Sequence, residues 1–510
     1  MAVARTHTVS LLGLRGATVE IEASIAAGLP AFVLIGLPDA ALGEAKHRVS
    51  AAVTNAGCEL PHHRITVNLS PAALPKHGPG FDLGIALAIL AADGTIPAES
   101  IDRVVHLGEL GLDGRLRPIA GILPAVVAAR AAGFDTVLVP TGNVDEASLV
   151  PDMRVVAVAS LLDAVIWHGG EFAPVQVQPI LRPAEGAEPG DDGLDLADVI
   201  GSTDSVEAML VAAAGGHHVF MLGPPGAGKT MLAARLPGLL PELDRAAAIE
   251  VSSLRSLAGL PVGRSLPTRP PLESPHHTAT AAALIGGGSG LIRPGAAARA
   301  SHGVLFLDEA PEFPASVLDA LRQPLESGVI TIHRANSIAH FPGSFQLVMA
   351  ANPCACGQSG ARDTECTCSP MAKRRYLGRI SGPLLDRIDI QLRVQRITSA
   401  RVRVSEAEPR LSTRDARTRV VAARAAAAAR LVGTSWTLNS HVPGTWLRGQ
   451  RMRLGPKTTA SIDRALERGG ITMRGYDRVL RLSWTLADLD GDSIPSADHV
   501  GRALYLRKAM

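Results

Sequence analysis

The most informative stretch of the chain is Gly223-Pro224-Pro225-Gly226-Ala227-Gly228-Lys229-Thr230, which follows an apolar run and fits the pattern G-x-x-x-x-G-K-[ST]. Glycines allow a tight loop whose backbone N–H groups converge on phosphate, and a helix beginning there adds its positive end. The pattern predicts that Lys229 holds the β and γ phosphates of ATP and that Thr230 offers its hydroxyl to Mg²⁺. A Gly-rich turn between a strand and a helix is the alternative interpretation.

A second motif ends an apolar strand with two acids, in the segment Gly303-Val304-Leu305-Phe306-Leu307-Asp308-Glu309. A carboxylate at the tip of a buried strand can order the magnesium shell, and its neighbour can polarise an attacking water. We therefore expect Asp308 to be a Mg²⁺ ligand and Glu309 to be the catalytic base. A plain exit from strand to loop is the alternative, and the phosphate-loop pattern counts against it.

Length and composition limit the possible function classes. A chain of 510 residues holds about three domains of ordinary size. The net charge of +2 argues against a polybasic tail, so a nucleic-acid contact must come from a local patch or a ring of subunits. Aromatic residues make up only 3%, so few side chains can stack on bases. No apolar run reaches membrane-spanning length and no secretion signal is evident, which predicts a cytoplasmic protein without membrane contact.

The cysteines are unevenly distributed. Cys354, Cys356, Cys366 and Cys368 lie close together, whereas Cys58 stands alone. In a reducing compartment such a group indicates a metal rather than disulfides, and four thiolates can surround zinc tetrahedrally. We expect the loop 354–368 to carry a structural zinc ion. Unligated thiols are the alternative, and Cys58 is expected in the core.

The chain divides by pattern into four parts. Residues 1–170 alternate β-like runs with Ala-rich helical stretches, which indicates an α/β or α+β domain. Residues 171–193, rich in proline and then in acids and glycine, are the linker candidate. Strands and helices alternate again over 194–400, and residues 401–510 are helical by pattern. The predicted fold class is therefore a multidomain α/β protein with a C-terminal helical lid.

Further segments carry a family resemblance: Ser274-Pro275-His276-His277-Thr278, Ile285-Gly286-Gly287-Gly288, Pro311-Glu312-Phe313, Leu321-Arg322-Gln323-Pro324-Leu325-Glu326 and Ser381-Gly382-Pro383-Leu384-Leu385-Asp386-Arg387-Ile388-Asp389. They resemble the signature of magnesium-chelatase-like AAA+ ATPases, in the ComM (YifB) subfamily, and the resemblance runs nearly end to end. It implies a hexameric ring motor. It also implies a helicase that promotes branch migration of single-stranded or branched DNA in natural transformation or recombination, with recombination proteins as possible partners.

The resemblance assigns three more site residues. Asn352 matches the sensor-1 residue that helps position the attacking water, and a turn-forming Asn before Pro is the alternative. Arg387 matches the arginine finger that reaches a neighbouring subunit's γ-phosphate, and a surface ion pair with Asp386 or Asp389 is the alternative. Arg474 matches the sensor-2 arginine of the lid.

An insert in the helix before the Walker B strand is also implied by the resemblance, and it projects toward the pore in ring motors. Here the segment from Ile285 to Gly295 corresponds to its tip. The glycines allow a tight hairpin, and Arg293 could meet a phosphate backbone. His276 and His277 stand nearby without a further ligand candidate, so we assign them no metal role.

The N-terminal part resembles the proteolytic domain of Lon, with a ribosomal S5 domain 2-like fold. The segment from Pro75 to Asp82 resembles the one that contains the nucleophilic serine, but Gly80 stands in the place of the serine. Leu123 similarly stands in the place of the catalytic lysine. Acyl transfer requires an activated nucleophile, so we expect a platform for oligomerisation or substrate docking rather than a protease.

Basic residues are frequent in the last third of the chain: Lys373, Arg374, Arg375, Arg379, Arg401, Arg403, Arg410, Arg414, Arg417, Arg419, Arg424 and Arg430. A basic stripe facing a pore predicts salt-sensitive DNA binding, and a solvated helix surface is the alternative. Taken together, the sequence predicts a Mg²⁺-dependent ATPase that forms a ring and moves DNA. The ATPase subunit of a metal chelatase and a protein-remodelling chaperone are the alternative functions.

Overall fold

The computed structural model describes residues 2–36, 44–74, 76, 78, 80–182, 193–288, 291–334, 337–358, 366–396 and 409–508. Part of the expected linker, residues 183–192, lies outside these ranges. The same is true of Arg401 and Arg403 of the basic stretch, of Pro75, His77 and Pro79 of the Lon-like segment, of Ser289 and Gly290 of the expected insert tip, and of residues 359–365 of the cysteine loop.

The N-terminal part is built on a seven-stranded sheet with the order β3-β4-β2-β1-β5-β8-β9. Its strands and the short hairpin β6–β7 are β1 (Ala2–Leu12), β2 (Arg15–Ala26), β3 (Ala31–Ile35), β4 (Arg64–Ser70), β5 (Val104–His106), β6 (Glu109–Leu110), β7 (Leu116–Arg117), β8 (Thr136–Pro140) and β9 (Arg154–Val158). Strands β1, β2 and β4 pair antiparallel, whereas β1, β5, β8 and β9 run parallel. The helices are α1 (Ala45–Asn55), α2 (Asp82–Ala92), α3 (Ala98–Ile101), α4 (Ile122–Ala131), α5 (Val144–Ala147) and α6 (Leu161–Trp167).

Side-chain periodicity explains how this sheet forms its core. In β2, Val19, Ile21 and Ala23 are fully buried and alternate with less buried neighbours, as expected for a strand with one face on the core. Helix α2 is buried along its whole length and packs against β1 and β2. An apolar helix without a polar face is stable only when it is covered in this way.

The central part contains a five-stranded parallel sheet with the order β11-β14-β17-β10-β18. Its strands and two hairpins are β10 (Val219–Leu222), β11 (Leu272–Glu273), β12 (Gly286–Gly287), β13 (Arg293–Pro294), β14 (Val304–Leu307), β15 (Val329–Arg334), β16 (Ser337–Pro342), β17 (Gln346–Ala351) and β18 (Ile390–Arg393). Every residue of β14 and β17 is buried, because both faces of a parallel sheet are covered. The carboxyl ends of all five strands meet at one edge of the sheet.

The helices of the central part are α7 (Thr203–Gly215), α8 (Lys229–Leu239), α9 (Arg245–Ala258), α10 (Ala281–Ile285), α11 (Ala296–Arg299), α12 (Ala315–Asp319), α13 (Pro324–Ser327), α14 (Pro370–Leu377) and α15 (Gly382–Leu385). The segment expected to be an insert tip forms the antiparallel pair β12–β13 between α10 and α11, with Gly287 opposite Arg293. The hairpin β15–β16 contacts β1 of the N-terminal part.

The C-terminal part is helical, with α16 (Thr413–Arg430), α17 (Gly444–Leu447), α18 (Pro456–Glu467), α19 (Met473–Asp490) and α20 (Ala497–Lys508). Helix α19 lies in the middle and contacts α16, α18 and α20. The side chains of Ser412 and Thr472 cap α16 and α19 by accepting N–H bonds from the first turn. One hydrophobic cluster joins these helices to α7, α8 and the central sheet. None of the described helices is long and apolar enough to cross a membrane.

The N-terminal part is docked on the central part through α4 and α9. The Ser256 hydroxyl on α9 accepts a bond from the Leu123 N–H at 3.3 Å, and the Ser256 carbonyl accepts one from the Gly121 N–H at 3.0 Å. Leu123, which the resemblance aligns with the Lon lysine, is fully buried at the start of α4. This end of α4 therefore serves as a contact between the two parts.

Three arginines in the helical section of the basic stretch are partly buried and bonded within the chain, so they do not contribute to an open basic stripe. Arg417 donates to the Gly238 carbonyl at 2.8 Å, and Arg424 donates to the Ala213 carbonyl at 2.6 and 3.0 Å. Arg430 forms a two-pronged ion pair with Asp488. Only Arg414 and Arg419 are exposed among the arginines of α16.

We expect Arg430→Met to destabilise the C-terminal part. Arg430 holds the buried Asp488 at 2.5 and 2.7 Å and lies 4.5 Å from the Trp484 ring centre, so its loss leaves a buried carboxylate without its cation. The expected loss is about 3 kcal/mol, measured as a lower urea midpoint for the far-UV circular dichroism signal. Arg414→Met, an exposed change on the same helix, should stay within about 0.5 kcal/mol. Equal midpoints for the two variants would contradict this account.

Candidate nucleotide site

The phosphate loop connects β10 to α8 at the carboxyl edge of the central sheet. Gly226 and Gly228 have φ angles of 74° and 90°, in the left-handed region that favours glycine. Gly223 is required for a different reason, because a Cβ there would lie 2.3 Å from the Val394 carbonyl oxygen. Helix α8 begins at Lys229, immediately after the loop. The backbone is therefore shaped so that the first N–H groups of α8 face the space that the loop encloses.

Lys229 lies inside this loop. Its Nζ donates to the carbonyl oxygens of Gly223 at 2.6 Å and Pro224 at 3.0 Å, and to Asn352 Oδ1 at 3.1 Å. Burial lowers the pKa of Lys229, whereas the negative charges of Asp308 and Glu309 raise it. The residue after β17 and the lysine of the phosphate loop are thus in direct contact.

Asp308 and Thr230 form an oxygen-rich corner beside the lysine. Thr230 Oγ1 donates to Asp308 Oδ2 at 2.8 Å, and the Glu309 N–H donates to Asp308 Oδ1 at 2.9 Å. Glu309 has φ 51°, so the chain turns sharply at the end of β14 and leaves the Glu309 carboxylate half exposed. A hydroxyl and a carboxylate are hard oxygen ligands, and this pair suits Mg²⁺ held jointly with phosphate oxygens.

His277 was missed as a site residue by the sequence reasoning. Its Nδ1 lies 3.3 Å from Glu309 Oε2, and its ring stacks on that of His276 at 4.1 Å between centres. The signal was available in principle, because β11 pairs in parallel with β14 and residues that follow neighbouring parallel strands meet at the same edge. The contact places an imidazole nitrogen beside the carboxylate that was expected to be the catalytic base.

The four clustered cysteines come together next to the site. Their sulfur atoms all lie within 4.8 Å of one another, with 3.2 Å between Cys354 and Cys356 and 3.7 Å from each of these to Cys366. The N–H of Cys368 and then the thiols of Cys356 and Cys354 lower the pKa of Cys366 to about 7. Four thiolates at this spacing fit a tetrahedral zinc ion, in which sulfur atoms about 2.3 Å from the metal lie about 3.8 Å apart. Cys58 is buried in the N-terminal core, as expected.

Arg387 and Arg474 lie at the opposite edge of the central sheet from the phosphate loop of their own chain. Arg387 precedes β18, donates to the Pro383 carbonyl at 2.6 Å and pairs with Glu326. Arg474 Nη1 lies 3.7 Å from Asp386 Oδ2. Both arginines line one cleft of about 990 Å³, together with residues at the amino ends of the strands such as Gly303 and Gln346.

A buried ion pair joins this edge to the lid. The Asp389 carboxylate is paired with Arg478 of α19, lies 3.4 Å from His217 Nδ1 and accepts the His218 N–H at 3.3 Å. Burial alone would raise the pKa of Asp389, but Arg478 and then His217 hold it well below its usual range. Asp389 is therefore charged at neutral pH, and it ties α19 to the start of β18.

Comparison with family models gives three matches along the chain. The model described as "Magnesium chelatase, subunit ChlI" matches residues 195–402, and "Subunit ChlI of Mg-chelatase" matches residues 21–143. The model described as "Magnesium chelatase, subunit ChlI C-terminal" matches residues 410–507. The nucleotide site described above lies within the first of these matches.

Several curated proteins are similar over the full length of the chain. An uncharacterized protein of Mycobacterium tuberculosis is 46% identical over 509 residues, which is 100% of this chain and 99% of the relative. The competence protein ComM of Haemophilus influenzae is 39% identical over 508 residues, covering 99% of this chain and 98% of ComM. The uncharacterized protein YifB of Escherichia coli is 35% identical over 507 residues, covering 99% and 97%.

A more distant and partial similarity involves a protease. Lon protease 1 of Bacillus subtilis is 27% identical over 165 residues, which is 30% of this chain and 21% of Lon. This partial match agrees with the resemblance to Lon that the sequence indicated.

We expect Lys229→Ala and Glu309→Gln to separate nucleotide binding from hydrolysis. Loss of the Lys229 charge should weaken the affinity for a fluorescent ATP analogue on the order of 10- to 100-fold. Glu309→Gln keeps the size of the side chain but removes the base, so turnover should fall about 100-fold or more while affinity changes little. Lys457→Ala, an exposed lysine of the lid, is the matched control for the first change. Wild-type turnover in Glu309→Gln would remove that residue as the base.

Proposed function

Because the chain belongs to the magnesium-chelatase family, in the group that contains ComM and YifB, we propose that it is a Mg²⁺-dependent ATPase that assembles as a ring and moves DNA. The observation that carries the ATPase part is the contact set of the phosphate loop. Lys229, Thr230 and Asp308 converge there with Asn352 from the neighbouring strand.

In this proposal, the nucleotide is bound by the loop Gly223-Pro224-Pro225-Gly226-Ala227-Gly228-Lys229-Thr230. The backbone N–H groups hold phosphate oxygens, and Lys229 exchanges its carbonyl partners for the β and γ phosphates. Thr230 and Asp308 already share a hydrogen bond and serve as the protein's ligands for Mg²⁺. The bound metal supplies charge stabilisation for the transferred phosphoryl group.

Hydrolysis falls to Glu309 and Asn352. Glu309 takes a proton from the attacking water. Asn352 Oδ1 lies 3.1 Å from Lys229 Nζ, which binds the γ-phosphate, so the Asn352 amide is close enough to that phosphate to help to orient the water. His277 holds the Glu309 carboxylate from the other side, 3.3 Å away. A neighbour at this distance restricts the orientation of the Glu309 carboxylate, which favours in-line attack.

Ring assembly explains the placement of Arg387 and Arg474. Strand β10 has four residues, so the edge that bears these arginines is about 13 Å from the phosphate loop of the same chain. Their side chains are also engaged at that far edge with Glu326 and Asp386. We therefore assign both to the nucleotide of a neighbouring subunit, Arg387 as the arginine finger and Arg474 as the sensor-2 arginine, in a homo-hexamer.

DNA is the proposed substrate because the resemblance to the ComM (YifB) subfamily implies a DNA helicase, and the competence protein ComM matches this chain over 99% of its length. On this chain, Arg293 is exposed on the β12–β13 hairpin beside glycines, so a phosphate backbone can approach closely. Arg374 and Arg375 are exposed on α14. Such sequence-independent contacts suit single-stranded or branched DNA, and a branch-migration helicase of transformation or recombination is the specific activity that we propose.

The ATPase subunit of a metal chelatase is the second candidate. The descriptions of all three matching family models name the magnesium chelatase subunit, and this observation favours it. The match to ComM extends over nearly the entire length of both chains and favours the first candidate.

Mixing two inactive variants tests the shared site. Arg387→Ala should lower turnover by about 10³-fold, because the finger stabilises charge in the transition state. In a random equal mixture with Glu309→Gln, about a quarter of the interfaces combine an intact Glu309 with an intact Arg387, so part of the activity should return. Arg468→Ala, an exposed arginine of the lid outside that cleft, is the control for the first variant. Absence of recovery at every ratio, with subunit exchange verified by labelled protein, would argue against the finger.

DNA dependence is tested by the steady-state ATPase rate with and without single-stranded and four-way-branched DNA, with Lys229→Ala as the blank. We expect stimulation that declines as salt rises, because phosphate contacts release counterions. Arg293→Ala should reduce this stimulation, whereas Arg103→Ala, an exposed arginine of the N-terminal part, should retain it. A rate unaffected by any DNA would favour the chelatase subunit or a protein-remodelling motor.

A further inference from the structure

The four-cysteine cluster is built into the nucleotide site rather than attached to a remote surface. Strand β17 ends at Ala351, whose carbonyl accepts the Gly223 N–H of the phosphate loop at 3.1 Å. Asn352 follows and contacts Lys229, and Cys354 lies only two residues further along. Only one residue therefore separates the first thiol from the residue that contacts Lys229.

The turn that contains the first two thiols packs closely against Pro225 of the phosphate loop. The Gly357 N–H donates to the Cys354 carbonyl at 3.0 Å, which closes a turn over Cys354–Gly357. Gly357 is buried with φ 75°, and a Cβ there would lie 2.8 Å from Pro225 Cγ. Only glycine allows this turn to approach Pro225 so closely, because a larger residue would both clash and be strained.

The other pair of thiols leads back to the same point. Cys368 is followed by α14, whose Tyr376 is buried and hydrogen-bonded to the backbone of Asn352. The chain leaves Asn352 toward Cys354, and after Cys368 it returns to Asn352 through Tyr376. The four sulfur atoms lie within 4.8 Å of one another between these two points. A single metal ion held by both pairs of thiols would therefore cross-link the two ends of the loop.

We propose that zinc bound by Cys354, Cys356, Cys366 and Cys368 acts as a clamp that sets the ATP turnover of the site. The metal holds the Cys354–Gly357 turn against Pro225 and thereby fixes Asn352 beside Lys229. Loss of the metal frees the turn, so the water-orienting amide is no longer fixed, while the loop glycines and Lys229 still hold phosphate. This inference rests on the proposed ATPase activity and adds a metal-dependent control to it.

The first experiment removes the metal through its more exposed ligands. Purified Cys356→Ser/Cys366→Ser should contain less than about 0.1 zinc per chain, against about one for the wild type, by elemental analysis. Its ATP turnover should fall by about tenfold or more, whereas its affinity for a fluorescent ATP analogue should change by less than about threefold. Cys58→Ala, which alters the buried cysteine outside the cluster, should retain both zinc and turnover.

The second experiment keeps the metal and breaks only the contact. Gly357→Ala should retain about one zinc per chain and lose turnover about threefold or more, because the new Cβ pushes the turn away from Pro225. Gly433→Ala is the matched control, since Gly433 has a comparable φ of 85° but open space around its Cβ position. It carries the same backbone strain without the clash, so its turnover should equal that of the wild type.

The outcomes separate this proposal from the proposed function. Absence of zinc from freshly purified wild-type protein overturns the clamp. So does wild-type turnover in both the zinc-free variant and Gly357→Ala, a result that leaves the ATPase intact. A wild-type protein that contains zinc but neither binds the analogue nor hydrolyses ATP instead overturns the proposed function.

Discussion

The backbone hydrogen bond from Gly223 N–H to the Ala351 carbonyl, 3.1 Å long, joins the start of the phosphate loop to the end of the neighbouring strand. It continues the parallel register in which Leu222 of β10 lies opposite Ala351 of β17. Because of that register, the residue after β17 reaches the lysine after the loop, and the acid after β14 reaches the threonine of α8. A slip of one residue would turn each strand over and point the wrong side chains at the site. The burial of these strands fixes their register, and the register brings Asn352 to Lys229 and Asp308 to Thr230.

Local pattern predicted the parts of the site whose geometry is carried by contiguous residues. The loop ending in Lys229-Thr230 and the acids Asp308-Glu309 form recognisable units because each follows one buried strand. The α/β class and the parallel central sheet also follow from alternating apolar runs. His277 and the Gly357–Pro225 contact were not predicted, since they depend on which strands are neighbours and how closely two loops approach. The basic stripe expected on α16 failed for a related reason. Spacing along a helix does not show that Arg417 faces the Gly238 carbonyl or that Arg430 faces Asp488.

In the N-terminal part, the two positions that the Lon resemblance singles out, Gly80 and Leu123, both lie in packed surroundings. Gly80 lies against Ile119, and a Cβ on Gly80 would be 3.0 Å from that side chain. Leu123 is buried where α4 meets Ser256 of the central part. A polar lysine at Leu123 would be desolvated there at a considerable cost. Packing between the two parts therefore favours an apolar residue at position 123, and α9 connects it to the helix-and-strand framework that supports the nucleotide site.

The buried charges at the amino edge of the central sheet link the two arginines assigned to the neighbouring nucleotide. Asp389 lies two residues after Arg387, and its partner Arg478 lies one helical turn after Arg474 on α19. Because Arg478 and His217 keep the pKa of Asp389 well below its usual range, this pair stays charged at neutral pH and resists separation. A displacement of α19 must therefore move the start of β18 with it or leave a buried charge unpaired. If Arg387 reaches a neighbour's γ-phosphate as we propose, a movement of Arg387 is therefore expected to be passed through Asp389 and Arg478 to the helix that carries Arg474.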